Sequence, residues 1–154
     1  MTIRALLKNM PRWLKTLFYL AVIGLVFLPI YLPLEHKANV VHQELEQEFA
    51  SIAILQGSIP IAKRSTHKAG AVLVQTEFET TNPYSRIREY YVADLERNGW
   101  RFQREQTLAQ MGTRSNVHEL TLCKKSYTAH VYSADDASGH STYWISLTWG
   151  TSGC

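Results

Sequence analysis

The chain has 154 residues, with 16 lysines and arginines against 13 aspartates and glutamates and a formal net charge of +3. Arg4, Lys8, Arg12 and Lys15 precede the first acid, so the remainder is near neutral and lacks the basic stripe that nucleic-acid phosphates require. A nucleic-acid partner is not expected, and neither is a cofactor enzyme: no Gly-x-Ser-x-Gly, phosphate loop or His-Glu-x-x-His occurs.

Residues 16–34, TLFYLAVIGLVFLPIYLPL, carry no charge. That is close to the ~20 residues a helix needs to cross a bilayer core. Residues 1–15 form a basic flank, and the positive-inside bias assigns them to the cytoplasm of a bacterial inner membrane, with everything beyond about residue 35 in the periplasm. Trp13, Tyr19 and Tyr31 lie near the two ends, at headgroup level. A cleaved signal peptide has a shorter apolar core and a small-x-small site, and Ile30-Tyr31-Leu32-Pro33-Leu34-Glu35 offers none. The segment is expected to be an uncleaved, single-pass transmembrane helix, kinked late by Pro29 and Pro33.

From residue 35 to 55, Val40, Val41, Leu45, Phe49, Ile52 and Ala53 recur at helical spacing, which predicts an amphipathic helix or stalk. Its stripe docks on its own domain, or forms a seam for another copy in a homo-oligomer or for another membrane protein. Residues 56–154 then make one extracytoplasmic domain, the size that roughly 100 residues supports. Ile59 to Gly70, with Pro60, Lys63, Arg64, His67 and Lys68, is predicted as a basic loop with a short edge strand. In Ala71 to Thr80 the residues Val72, Val74, Thr76 and Phe78 alternate with Leu73, Gln75, Glu77 and Glu79, a half-buried strand.

Asn82 as N-cap and Pro83 at the first helical position predict a helix with Tyr84, Ile87, Tyr91 and Leu95 on one face, stopped by Asn98-Gly99. Trp100 and Phe102 open another strand. After a turn-rich stretch, Met111 to Asn116, three more are predicted at His118 to Lys124, Tyr127 to Ser133 and Tyr143 to Trp149, with a turn at Lys124-Lys125-Ser126 and a loop at Ala134 to Ser141. The expected fold is α+β: a transmembrane helix, an amphipathic helix, and a mostly antiparallel four- to five-stranded meander with one covering helix and one wetter face.

Cys123 and Cys154 would share an oxidising compartment, so a disulfide is expected, with two free thiols as the alternative. Closing that loop of roughly 30 residues is worth ~3–4 kcal/mol by chain entropy. His118 and His130 on neighbouring strands, and His140 in a loop with Asp135 and Asp136, are the residues a metal site would draw on, but surface histidines are the plainer reading. Ser141 beside His140 sets no geometry, and Glu77 and Glu79 are expected to be solvated. No catalytic, metal or cofactor residue is therefore assigned. Tyr90, Tyr132 and Trp144 fall outside the core parity and are candidates for a protein interface, or else simply cover the sheet.

The stretch Tyr90-Tyr91-Val92-Ala93-Asp94-Leu95-Glu96-Arg97-Asn98-Gly99-Trp100 resembles the aromatic-Tyr, Leu, Gly-Trp signature of small bacterial envelope proteins of unassigned function. The resemblance spans roughly residues 71 to 103. It implies a strand leading into a helix, Gly-Trp leading into the next strand, and an envelope address. The overall plan also resembles type IV pilins and pseudopilins, but the apolar run lacks their early Glu and their leader junction. The expected function is binding of another protein, as an envelope or secretion assembly component or as an immunity protein against a periplasmic effector. The alternatives are a periplasmic small-ligand or enzymatic domain, and a pilin-like subunit.

Overall fold

The structure, a computed structural model, describes residues 11–109, 116–135, 141–150 and 154. Its first element is a single helical run, α1 (Arg12–Ser51), in which the amphipathic segment continues directly from the apolar one. Nothing between residues 34 and 35 interrupts the hydrogen-bond ladder. Pro29 and Pro33 have no N–H for the carbonyls one turn back, and the limbs Arg12–Phe27 and Tyr31–Ser51 meet there at 44°. Among the described residues no single unbent helix is long and apolar enough to cross a membrane; these two limbs pass together by length and composition. The helix ends at Ser51, short of the predicted residue 55.

The rest is a six-stranded antiparallel sheet, not one of four or five strands. Its strands are β1 (Ser58–Lys68), β2 (Ala71–Thr80), β3 (Arg101–Ala109), β4 (Asn116–Lys124), β5 (Tyr127–Asp135) and β6 (Ser141–Trp149), in the order β1-β2-β6-β5-β4-β3. The predicted meander survives as β3 to β6, while β2 pairs with β6 at the centre. The additional strand is β1, predicted as a loop with only a short edge strand. It is largely exposed, so no alternation of buried residues announces it. It is held instead by its ladder to β2 and by polar ties to α1: Lys63 Nζ to Glu46 at 3.0 Å, His42 Nε2 with Ser65 Oγ at 2.6 Å, and His67 with Glu35 at 3.5 Å.

A second helix, α2 (Tyr84–Arg97), lies with α1 on one face of the sheet, so two helices cover it where one is predicted. The C-terminal limb of α1 packs over β1, β2 and β6, and α2 over β5, β4 and β3. Ala38, Val41 and Leu45 of α1 and Ile87, Tyr91 and Leu95 of α2 close on Val74, Phe78, Leu120, Leu122, Val131, Tyr143, Ile145 and Leu147. Thus the amphipathic stripe docks on its own domain; Val40 and Ala53 point away from the core.

The start of α2 departs from the prediction. Pro83 occupies the N-cap, and Asn82 Nδ2 donates instead to Gln56 O at 3.0 Å and Thr80 Oγ1 at 2.8 Å, tying the two turns together. The far end is as predicted. Gly99 has φ +85°, where a β-branched side chain is strained even though an added Cβ would meet only Lys124 Cε at 3.9 Å. Trp100, next in sequence, is buried in the core. Gly150 is required for a second reason as well: a Cβ there would stand 1.9 Å from Gly70 O, so the end of β6 meets the β1–β2 turn backbone to backbone.

Where α1 stops, its chain is gripped by α2. Asp94, buried, accepts from Ala53 N–H at 3.2 Å, and the Tyr91 hydroxyl accepts from Leu55 N–H at 3.2 Å. That hydroxyl also shares a hydrogen bond with the Tyr143 hydroxyl of β6 at 2.9 Å. Burial, together with this bond, pushes the Tyr91 phenol well above its ordinary range. Tyr91→Phe should cost about 1–3 kcal/mol in urea unfolding, because it leaves a buried N–H without an acceptor while removing little packing. Trp100→Ala should cost ~3–5 kcal/mol, the range for a core aromatic. Near-neutral results for both would show that the core lies elsewhere.

Candidate functional site

The sheet face away from the helices carries a continuous row across five strands. Gln106 pairs with Glu119, Glu119 with Tyr132, Tyr132 with Trp144, and Trp144 with Glu77. Side chains alternate faces along a strand, so this row lies on the side opposite Leu120, Val131 and Ile145. Tyr132 stacks on Trp144 with centroids 5.1 Å apart and on His130 at 5.5 Å. Two of the three predicted interface residues therefore meet. The third, Tyr90, does not join them: it lies edge-on to Tyr91, and its hydroxyl donates to Ile54 O at 3.4 Å, so it belongs to the helix side.

Cross-strand from Tyr132 lies Glu119, only 4% exposed on a face that no helix covers among the described residues. It accepts from His130 Nδ1 at 2.9 Å, from the Gln106 amide and from the Tyr132 hydroxyl. Burial pushes its carboxyl up, but these three donors and the nearby imidazole outweigh burial and hold it below the usual carboxylate range. An ionised carboxylate only accepts, so His130 Nδ1 carries the proton. Burial and the Glu119 charge push Tyr132 up to about 12. Thr121, the cross-strand partner of His130 on this face, has a buried Oγ1 without a hydrogen-bond partner.

Chemically, this arrangement is an organiser. A general acid or base needs a pKa near the working pH and a free lone pair or proton, whereas Glu119 is ionised and already engaged by three donors. Its carboxylate ties His130 and Tyr132 together, and Tyr132 in turn stacks on Trp144. The sequence signal was present but incomplete: Glu119 is off the Leu120/Leu122 parity, and only strand register reveals that it faces Tyr132 and His130.

The other candidates separate. His118 and His130 sit on adjacent strands but on opposite faces, and His118 stacks on Tyr84 of α2 with centroids 4.0 Å apart. Among the described residues no group of three His, Cys, Asp or Glu is placed to hold a metal. His140 and Asp136, like most of the predicted 111–116 and 134–141 connections, lie outside the described residues. Ser141 is buried on the helix side, and Glu77 and Glu79 share the open face. The Cys123–Cys154 disulfide is formed, with its Cα atoms 5.8 Å apart.

Compared with protein-family models, curated proteins and solved structures, the chain matches none.

Since the folded state holds the Glu119 carboxyl below its unfolded value, its contribution is present above the normal carboxylate range and is lost as pH falls through the folded value. Wild type should therefore be more stable than Glu119→Gln near neutral pH, with the gap shrinking below roughly pH 4. Unfolding midpoints measured across that window check this. A gap that stays constant or widens on acidification contradicts it.

Proposed function

We propose that this is a membrane-anchored, non-enzymatic binding protein whose open sheet face receives another protein. The observation that carries the binding role is the aromatic row of His130, Tyr132 and Trp144, stacked on itself, with His130 and Tyr132 bonded to buried Glu119. Tyr and Trp are large anchors with a polar handle, and side chains already held in place lose little entropy on association. The anchor is supported by the N-terminal limb of α1, which leaves apolar side chains bare around its surface: Leu25 is 81% exposed, Trp13 63% and Phe27 62%. Such a surface is at home in hydrocarbon, not in water. In this reading residues 16–34 sit in the inner membrane, and the basic flank sets the domain in the periplasm.

The partner belongs to one of two classes, an envelope or secretion assembly, or an effector that the domain neutralises. A neighbouring toxin gene points to the second and a secretion operon to the first.

Trp144→Ala should leave the melting temperature within a few degrees of wild type and weaken partner capture at least tenfold, because Trp144 is half-buried on the sheet's outer side. A photo-crosslinker at Thr142, beside Trp144 on that face, should trap protein in intact cells, whereas one at Glu96 on the exposed side of α2 should not. Adducts at Glu96 alone would overturn the assignment of the face. A reporter active only outside the cytoplasm should work after Cys154, and its failure there would overturn the orientation.

A further inference from the structure

The disulfide lies in an open cleft of about 570 Å³ lined by Gly99, Arg101, Gln103, Lys124 and Lys125, three cations and no acidic side chain among them. Its two ends differ. Cys123 is half-buried within β4, cross-strand from Arg101 on one side and from Thr128 on the other, whereas Cys154 is exposed. Thr128 Oγ1 donates to Cys154 Sγ at 3.2 Å, and the Tyr127 carbonyl oxygen lies 3.3 Å from the same sulfur. Lys124 is partly spoken for by Glu48, at 2.7 Å. Of the other two cations, Arg101 is the one that stands cross-strand from Cys123.

From this asymmetry we propose that Cys123–Cys154 is an exchangeable disulfide, a redox site opened in the folded protein by the dithiol of another protein. The incoming thiolate attacks the exposed Cys154 Sγ. The Cys123–Cys154 bond breaks, its electron pair leaves on Cys123 as a thiolate, and a mixed disulfide forms on Cys154. The second thiol of the donor, deprotonated, then attacks the donor's own sulfur in that mixed disulfide and releases Cys154 as a thiolate. The donor ends as a disulfide and this protein as a dithiol, two electrons having passed.

A neighbouring guanidinium stabilises the departing thiolate, and a better leaving group departs faster. The Thr128 hydroxyl, once Cys154 has gone, can turn to Cys123, its cross-strand neighbour. At Cys154 the nearby carbonyl oxygen disfavours negative charge, so the cleft favours Cys123 as the sulfur that leaves.

The test uses the full chain in detergent micelles with two probes, reduced glutathione and reduced thioredoxin, under native conditions. Acid quenching and peptide mapping should find glutathione on Cys154 and the first free thiol at Cys123. Thioredoxin should open the bond at a rate independent of low denaturant, and Arg101→Gln should slow that opening about threefold, a difference that salt compresses. Because Arg101 is exposed, the variant should melt with wild type. Opening that occurs only at the global unfolding rate, glutathione on Cys123, or an Arg101→Gln rate equal to wild type at low salt would each overturn the proposal.

Discussion

Two backbone amides just beyond the end of a long helix set the shape of this molecule. A helix that stops at Ser51 would leave the N–H groups of the following turn to be solvated or orphaned, and here Asp94 and Tyr91 of α2 take up those of Ala53 and Leu55. The Tyr91 bond to Tyr143 carries the grip through to the central strand β6. One contact thereby joins both helices to the sheet. The apolar limb of α1 consequently continues without a linker into a limb fixed on the domain core, and the orientation of the open face follows from that of the helix.

Around this grip the sheet separates two kinds of stabilisation. Toward the helices it is apolar, with Phe78 and Tyr143 stacked 5.0 Å apart at the centre. At the end of β4 and on the edge strand β3, polar ties take over: Lys124 to Glu48, and Tyr84 and Arg88 to Glu105, each carboxylate–donor distance being 2.7 Å in the shortest bond. Hydrogen bonds from Tyr84, then Arg88, hold the Glu105 carboxyl below its usual range. The face away from the helices uses a third device, a buried carboxylate with its donors matched, which accepts from His130 and Tyr132 of the aromatic row. A buried charge is tolerated only when it is paired in this way.

Much of the helix side was legible. Period-two alternation located β2 within its observed bounds, and the Leu120/Leu122, Ala129/Val131 and Ile145/Leu147 pairs face the core as expected. Gly99 and Trp100 were readable because a left-handed stop and the large aromatic after it are local events. The illegible parts depend on partners distant in sequence. β1 buries almost nothing, so its strand character comes from β2. Asp94 looks like one more charged residue of α2 until Ala53 is brought to it across 41 positions. Tyr90 has a neighbour the sequence could not name: off-core parity on a helix does not say which residue it will meet, and here it is the turn at Ile54. Tyr132 and Trp144 could be proposed together, yet only register showed Glu119 beside Tyr132.

Native-state hydrogen exchange at the amides of Ala53 and Leu55, in the full chain in micelles, tests most directly whether the grip of α2 makes α1 part of the domain. Both amides should exchange as slowly as those of the core strand β2, opening only with global unfolding. Exchange near the rate of an unstructured peptide, while β2 stays protected, would mean that the long helix hangs from the sheet by a flexible joint, contradicting a grip by α2.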